Sequence, residues 1–239
     1  MSDNNFFWIG GKHAVLSAIH NPNRIIKSVV IQNEKNSVLL KNKTKFEVKN
    51  ESFFNKIFSQ TQITHQGFAA EITKLKAISI NEYLSENKKS NFLFVMLNDI
   101  QDNRNIGSII RTSLAFGVDA IIVEKKNYRS KNPQMYKAAC GSIEHLPIIE
   151  VSNLSNALKI LKENNVWTYS LEADAKKNIN NITFGSKVCF IFGSENDGIK
   201  NLIKKNSDEL IKIPMEKNSN SLNVSNALTS TLTYYKFCK

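Results

Sequence analysis

Three loops beyond residue 90 contain polar residues that are candidates for ligand binding or catalysis. The first follows an apolar run and contains Asn105, Gly107 and Arg111, with a helix predicted to start near Asn105 to Gly107. We expect Arg111 to lie about one turn into that helix. Its guanidinium and the free backbone N–H groups of the helix N-terminus would then form a phosphate-binding site. The structural alternative is a capped helix whose arginine pairs with a neighbouring carboxylate.

The second loop contains Gly193, Glu195 and Gly198 and follows another apolar run. Glycine at such positions allows close approach of a flat ligand or an unusual backbone angle. The spacing has a superficial likeness to the G-x-G-x-x-G fingerprint of dinucleotide-binding proteins, but the first glycine pair is missing. A carboxylate at Glu195 would also repel a pyrophosphate, so we reject a nucleotide-phosphate site and a dinucleotide oxidoreductase.

The third loop begins at Ile213-Pro-Met215 and runs through Ser221-Leu-Asn-Val-Ser225 into the last predicted helix. Serine and asparagine before a helix are common N-cap and turn residues. Taken alone, this segment is better explained by local capping than by ligand binding.

The elements that must position these loops alternate regularly. Predicted strands span 92–97, 120–123, 148–151, 166–171, 188–192 and 210–213, and predicted helices span 106–116, 133–140, 154–164, 199–205 and 224–237. Several strands are continuous apolar runs, which is typical of a parallel sheet covered by helices on both faces. Ligands of such sheets bind at the carboxyl ends of the strands, where the three loops lie.

A smaller α/β unit precedes this region. Its predicted strands span 27–32, 45–49 and 67–72, and its predicted helices span 13–19 and 50–58. A short helix over 80–86 and the polar stretch 87–91 follow it. We therefore divide the chain into a unit over 1–76, a linker over 77–91 and a unit over 92–239.

The charge of the chain favours a polyanionic partner. The formal net charge is +11, which makes nucleic acid the leading candidate. Lysine supplies most of this charge. The four arginines are Arg24, Arg104, Arg111 and Arg129, and the last three lie in one stretch. Because arginine offers a rigid fork of donors, their clustering indicates phosphate or carboxylate recognition.

Cysteine spacing and hydropathy argue against disulfide-bonded, metal-binding, secreted and membrane proteins. Cys140, Cys189 and Cys238 form no C-x-x-C pair and no metal-ligand spacing with the histidines, so we expect free thiols, a reducing compartment and no metal. A nucleophilic Cys140 is less favoured than a small core residue. With no apolar run of membrane-spanning length and no signal-peptide pattern, a cytoplasmic protein without a membrane partner is expected.

In their order and spacing, the three loops resemble the three signature motifs of the SpoU/TrmH branch of the SPOUT methyltransferases. The resemblance covers about residues 92 to 237. Near the start of the chain, Gly11-Lys-His-Ala-Val15 and His65-Gln-Gly-Phe-Ala-Ala-Glu71 are similar to the small RNA-binding domain of the family's 23S rRNA guanosine 2'-O-methyltransferases. That domain has a ribosomal-protein-L30-like fold, and relatives that act on tRNA guanosine usually lack it.

The resemblance implies a fold, a cofactor and a reaction. The fold is an α/β sheet whose C-terminal segment forms a trefoil knot. The reaction is 2'-O-methylation of a ribose by S-adenosylmethionine, and a guanosine of 23S rRNA is the expected target. Backbone around Gly193, Ile213 and Leu222 should hold the cofactor. A homodimer that completes the site is also implied.

The same resemblance assigns catalytic positions. Arg111 and Asn105 match the family's catalytic pair, and Glu195, Ser221 and Asn223 match its other site residues. Because arginine is very hard to deprotonate, we favour a role in which Arg111 fixes the target phosphate and stabilises an alkoxide-like oxygen. In-line positioning of the reacting atoms would then supply much of the rate.

Two positions depart from the family pattern, which usually has glycine where Lys217 stands and an apolar residue where Asn226 stands. Lys217 adds a cation and loses backbone freedom. Two alternatives stay open at this point: the same chemistry on a tRNA guanosine, and an RNA-binding module without catalysis.

Overall fold

The computed structural model describes residues 5–40, 44–61, 63–195, 197–216, 218 and 221–238. The first unit is a sheet of four strands, β1 (Phe6–Gly10), β2 (Ile26–Ile31), β3 (Glu47–Val48) and β4 (Phe68–Thr73), with helices α1 (Lys12–His20) and α2 (Glu51–Ile57). The strand order is β1-β4-β2-β3. Strand β4 pairs antiparallel with both neighbours, whereas β2 and β3 are parallel.

Helix α3 (Ile80–Glu86) leads into a second sheet. Its strands are β5 (Phe92–Asn98), β6 (Ala120–Glu124), β7 (Ile148–Val151), β8 (Trp167–Leu171), β9 (Lys177–Asn178), β10 (Lys187–Gly193) and β11 (Glu209–Lys212). The helices are α4 (Asn103–Ala115), α5 (Pro133–Ala139), α6 (Leu154–Glu163), α7 (Asn201–Asn206) and α8 (Val224–Phe237). The strand order is β7-β6-β5-β10-β8-β11-β9, and these neighbours all pair in parallel. The predicted α/β class is confirmed.

Strand β5 shows why its sequence is a continuous apolar run. All of its residues are buried. Leu93, Val95 and Leu97 face the core that contains α4, α5 and α8, whereas Phe94 and Met96 face the core under α3 and α6. A strand covered on both faces needs apolar side chains at every position.

Strands β1 and β9 were not predicted from the sequence, and the predicted start of α4 was wrong. Strand β1 is five residues long and gains its stability by antiparallel pairing with β4, a contact far away in the sequence. Helix α4 begins at Asn103 because the side chain of Asp102 accepts a hydrogen bond of 2.8 Å from the Arg104 backbone N–H. Arg111 therefore lies more than two turns into the helix, away from the free N–H groups, and the predicted phosphate-binding site beside them is wrong.

The two sheets share one continuous hydrophobic core, in which Ile9 and Val15 of the first unit and Met135 of α5 take part. Beside it, Arg24 Nη2 lies 2.7 Å from Glu144 Oε1, and both side chains are almost fully buried. The domain limits 1–76, 77–91 and 92–239 stay a prediction, as does the trefoil knot, since strand order alone does not define how the chain is threaded. No helix among the described residues has the length and apolar character needed to cross a membrane.

Candidate functional site

A cavity of about 400 Å³ opens where β8 and β10 end and where the chain leaves β11. These are carboxyl ends of parallel strands, the usual place for ligands in such sheets. The three residues predicted to hold a cofactor, Gly193, Ile213 and Leu222, all line this cavity. Glu195 and Ser221 also line it, so two of the three predicted loops meet here.

Gly193 is required by the close approach of the chain to itself. A Cβ atom at this position would lie 2.2 Å from the carbonyl carbon of Gly198 and 2.4 Å from the nitrogen of Ile199. The loop folds back because Ser194 and Gly198 exchange two backbone hydrogen bonds of 3.2 and 3.0 Å. Gly198 has a φ of +63°, a left-handed conformation that favours glycine.

The same loop is held to neighbouring strand ends by side chains. Glu172, directly after β8, accepts a hydrogen bond of 3.1 Å from the Ile199 N–H and one of 2.6 Å from Lys204 Nζ. At the end of β5, Asn98 Oδ1 accepts a hydrogen bond of 2.7 Å from the Lys200 N–H. The side chain of Lys200 binds Asp99 at 2.8 Å, and this hydrogen bond lowers the pKa of the Asp99 carboxyl.

A polar cluster joins all three predicted loops beside the cavity. Glu195 Oε1 accepts hydrogen bonds of 3.0 Å from Asn105 Nδ2 and 2.6 Å from Asn223 Nδ2. Asn223 Nδ2 also lies 3.1 Å from Asn105 Oδ1. The other end of the Asn223 side chain caps α8, because its Oδ1 accepts a hydrogen bond of 3.0 Å from the Ser225 N–H. Asn223 therefore caps α8 and contacts Glu195 with the same side chain.

Arg111 stands apart from this cluster. It lies six residues after Asn105, which on a helix is about 9 Å along the axis and roughly 120° around it. Its Nη1 donates to the sulfur of Cys140 at 3.5 Å, and among the described residues no hydrogen bond links it to Glu195 or Asn223. The structure thus brings four of the predicted catalytic residues to the edge of the cavity and places the fifth, Arg111, on a different face of α4.

Gly107, the motif residue between Asn105 and Arg111, serves helix packing. A Cβ atom here would lie 2.5 Å from the backbone oxygen of Met135 and 2.6 Å from Cβ of Ala138. Helices α4 and α5 therefore pack in direct backbone contact. Of the two departures from the family pattern, Lys217 lies outside the described residues, and Asn226 is an exposed residue of α8.

Three acidic residues of the cavity were not predicted from the sequence. Glu172 and Asp174 follow β8, and Asp197 lies in the loop after β10. Glu172 and Asp174 could have been suggested by the sequence, since β8 was predicted as a strand and ligands bind at the carboxyl ends of such strands. The strand order, which places β8 next to β10, could not be read from the local pattern.

The lining of the cavity suits a ligand that is partly apolar and positively charged. Among the described residues, four carboxylates line it, and the lysine of the lining, Lys204, is paired with Glu172. Apolar wall is supplied by Leu171, Phe192, Ile213 and Leu222. This is a local reversal of sign in a chain of net charge +11. S-adenosylmethionine, with an adenine ring, a sulfonium and an ammonium group, fits such a lining, whereas a phosphate would be repelled.

Comparison with known proteins identifies the family. Residues 92–233 match the sequence profile of the SpoU rRNA methylase family, and residues 8–77 match the profile for RNA 2'-O ribose methyltransferase substrate binding. A Staphylococcus saprophyticus protein named for the TrmH family of tRNA/rRNA methyltransferases is 33% identical over 97% of this chain and 95% of its own length.

Solved structures show the same fold. The SpoU methyltransferase AviRb from Streptomyces viridochromogenes, in complex with AdoMet, has a TM-score of 0.81 and 18% identity over 96% of this chain and 88% of its own. An AdoMet-bound rRNA methyltransferase from Sinorhizobium meliloti has a TM-score of 0.79 and 20% identity over 97% of this chain and 87% of its own. The chain therefore belongs to the SpoU methylase family of RNA methyltransferases, which use S-adenosylmethionine as the methyl donor.

Proposed function

We propose that this protein methylates the 2'-hydroxyl of a ribose in RNA, and that its target is a guanosine of 23S rRNA. The observation that carries the proposal is the meeting of Asn105, Glu195 and Asn223 at the edge of an acidic and apolar cavity. These side chains come from the first turn of α4, the loop after β10 and the N-cap of α8. Their mutual hydrogen bonds hold the three side chains in fixed positions, where they can contact a ribose at the edge of the cavity.

The cavity is the proposed cofactor site. Backbone around Gly193, Ile213 and Leu222 forms its rim, and the nearby carboxylates match the positive charge of the cofactor. S-adenosylmethionine, when bound, supplies an electrophilic methyl group on its sulfonium. The protein's part is to exclude water from this group and to orient an acceptor hydroxyl at it.

Glu195, Asn105, Asn223 and Ser221 are proposed to hold the acceptor ribose. Ser221 is exposed at the cavity rim, where its hydroxyl could contact a substrate. Oε1 of Glu195 already accepts two amide hydrogen bonds, so the amides fix the orientation of this carboxylate. The carboxylate group can then accept a hydrogen bond from a ribose hydroxyl without moving.

Arg111 is proposed to bind the target phosphate and to stabilise the developing negative charge on the ribose oxygen. Within one chain it points towards Cys140, away from the cavity wall, and the lysine of that wall, Lys204, is paired with Glu172. We therefore propose a homodimer in which Arg111 of the partner subunit completes the site. In this arrangement a cation reaches the RNA without neutralising the acidic cavity.

The first unit favours rRNA over tRNA as the substrate, because relatives that act on tRNA guanosine usually lack such a unit. Its match to a substrate-binding profile over residues 8–77 indicates an RNA contact beyond the methyl-transfer site. The homologue from Staphylococcus is named for both classes of RNA, so tRNA stays the alternative substrate. With RNA of either class as its substrate, we expect the protein to act in the cytoplasm.

The deciding experiment maps 2'-O-methyl groups on rRNA and tRNA from cells with and without the gene. Loss of one rRNA methyl group supports the proposal, and loss of a tRNA methyl group supports the alternative. With purified protein, Arg111→Ala should abolish methylation and leave cofactor binding nearly intact, whereas Lys159→Ala, at an exposed position of α6, should keep activity. Wild-type protein that binds no S-adenosylmethionine would instead favour an RNA-binding module without catalysis.

A further inference from the structure

The two motifs of the first unit meet at the side chain of Gln66. The turn at His65-Gln66-Gly67 holds Gln66 at a φ of +56° and Gly67 at +74°, conformations that cost energy for a residue other than glycine. The turn is closed by a hydrogen bond of 3.1 Å from the Gly67 N–H to His65 Nδ1. The turn therefore fixes the direction of the Gln66 side chain. Its Oε1 accepts a hydrogen bond of 3.3 Å from the Lys12 N–H at the start of α1.

Gln66 also reaches the second unit. Its Oε1 accepts a hydrogen bond of 2.6 Å from Nζ of Lys137, on the last turn of α5. The aliphatic stem of Lys137 lies against Gly11, where a Cβ atom would be 2.8 Å from Lys137 Cδ. Gly11 has a φ of +107° and leaves space for this stem. Because Gly11 leaves space for its stem and Gln66 accepts a hydrogen bond from its ammonium group, the Lys137 side chain is held in place as a contact between the two units.

From Lys137 the contacts continue to Arg111. The backbone oxygen of Lys137 accepts hydrogen bonds from the Cys140 N–H at 3.3 Å and from its thiol at 3.6 Å. Cys140 is in a left-handed conformation with a φ of +49°, which places its side chain beside α4. There the thiol sulfur accepts the hydrogen bond of 3.5 Å from Arg111 Nη1.

These contacts form one path, from Lys12 and Gln66 through Lys137 and Cys140 to Arg111. We propose that Lys137 is a positioning residue for methyl transfer, which couples the motifs of the RNA-binding unit to the orientation of the Arg111 guanidinium. This inference rests on the proposed function, because it requires Arg111 to act on the RNA. It also gives a reason for the strained turn at Gln66, which the cofactor site does not need.

The test compares Lys137→Met with Gln66→Ala and with the double variant, using full-length protein, S-adenosylmethionine and the substrate RNA in its unmethylated form. Each single change should lower kcat about tenfold and leave the KM for RNA and the Kd for S-adenosylmethionine within about twofold of wild type. Because both changes break the same contact, the double variant should be no slower than Lys137→Met. Lys137→Arg, which keeps a donor, should recover at least part of kcat.

Controls separate this role from simpler ones. Lys159→Ala removes one exposed lysine from α6 and should leave kcat unchanged. If Lys137 contacts a phosphate directly, Lys137→Met will raise the KM for RNA and reduce the salt dependence of binding by about one counterion, and Gln66→Ala will do neither. That result overturns the inference.

The outcome for wild type distinguishes the two proposals. Wild-type protein that methylates RNA, together with a Lys137→Met variant of unchanged kcat, overturns the positioning role alone. Wild-type protein without methylation on any RNA overturns the proposed function and this inference with it. A lower melting temperature of Lys137→Met together with normal kcat would assign the contact to stability only and would also overturn the inference.

Discussion

The side-chain amide of Asn223 donates a hydrogen bond of 2.6 Å to Oε1 of Glu195 and so joins the loop after β10 to the start of α8. The same side chain caps α8 through the Ser225 N–H. One residue therefore sets both where the last helix begins and how the Glu195 carboxylate is oriented. This double use explains why asparagine, with a donor and an acceptor on one group, suits the position.

Asn223→Asp tests this arrangement. Aspartate caps a helix as well as asparagine does, so we expect thermal stability close to wild type. Its carboxylate would face that of Glu195, and the repulsion should displace the loop and weaken S-adenosylmethionine binding about tenfold. Calorimetric titration measures the affinity. Asn223→Ser keeps a cap without adding charge and should lose less affinity. Equal affinities for both variants would show that charge at this contact does not hold the loop.

Gly193→Ala tests the close approach of the loop after β10. The added methyl group would overlap the backbone of Gly198, which cannot yield as a flexible side chain can. We expect a loss of about 1–3 kcal/mol in the free energy of unfolding and the loss of cofactor binding. Chemical denaturation and a binding titration measure the two effects. Gly185→Ala is the matched control and should be neutral, since a Cβ atom there would meet no described atom within 4 Å.

The pair Arg24–Glu144 tests the junction of the two units. Its side chains are 0% and 1% exposed. Arg24→Met should reduce the free energy of unfolding by about 3–5 kcal/mol, because the Glu144 carboxylate would be left buried without a counter-charge. The double variant Arg24→Met with Glu144→Met removes both charges and should be more stable than the single variant. Urea denaturation decides between them, and a double variant that is the less stable of the two would contradict this account.

The acidic lining of the cavity predicts a preference for the charged cofactor over its product. S-adenosylhomocysteine has lost the sulfonium charge, so the exposed carboxylates Asp174 and Asp197 should favour S-adenosylmethionine. We expect Asp174→Asn with Asp197→Asn to weaken S-adenosylmethionine binding about threefold at low salt and to leave S-adenosylhomocysteine binding unchanged. Glu163→Gln, at an exposed position of α6, is the control. An equal loss of affinity for both ligands would mean that these residues affect the shape of the cavity and do not interact with the sulfonium charge.

Local sequence was sufficient for most of the helices and strands. The apolar run of β5 and the polar loop after it, for example, were predicted from residue pattern alone, because a strand covered on both faces leaves a continuous apolar signature. The start of α4 was wrong because a single capping contact, from Asp102 to the Arg104 N–H, extends the helix at its beginning. Strand β1 was missed since five residues carry little pattern without their partner strand.

The sequence by itself determined the α/β class and the three loops, and the resemblance of its motifs to a known family indicated Gly193, Ile213 and Leu222, which line one cavity. Only the tertiary structure decided that Glu172 and Asp174 join them, because strand order is set by packing between distant segments. It also decided that Asn105 faces Glu195 while Arg111 faces Cys140. The physical reason is helix geometry: residues six apart point in different directions, and which neighbour each meets depends on how the helices pack.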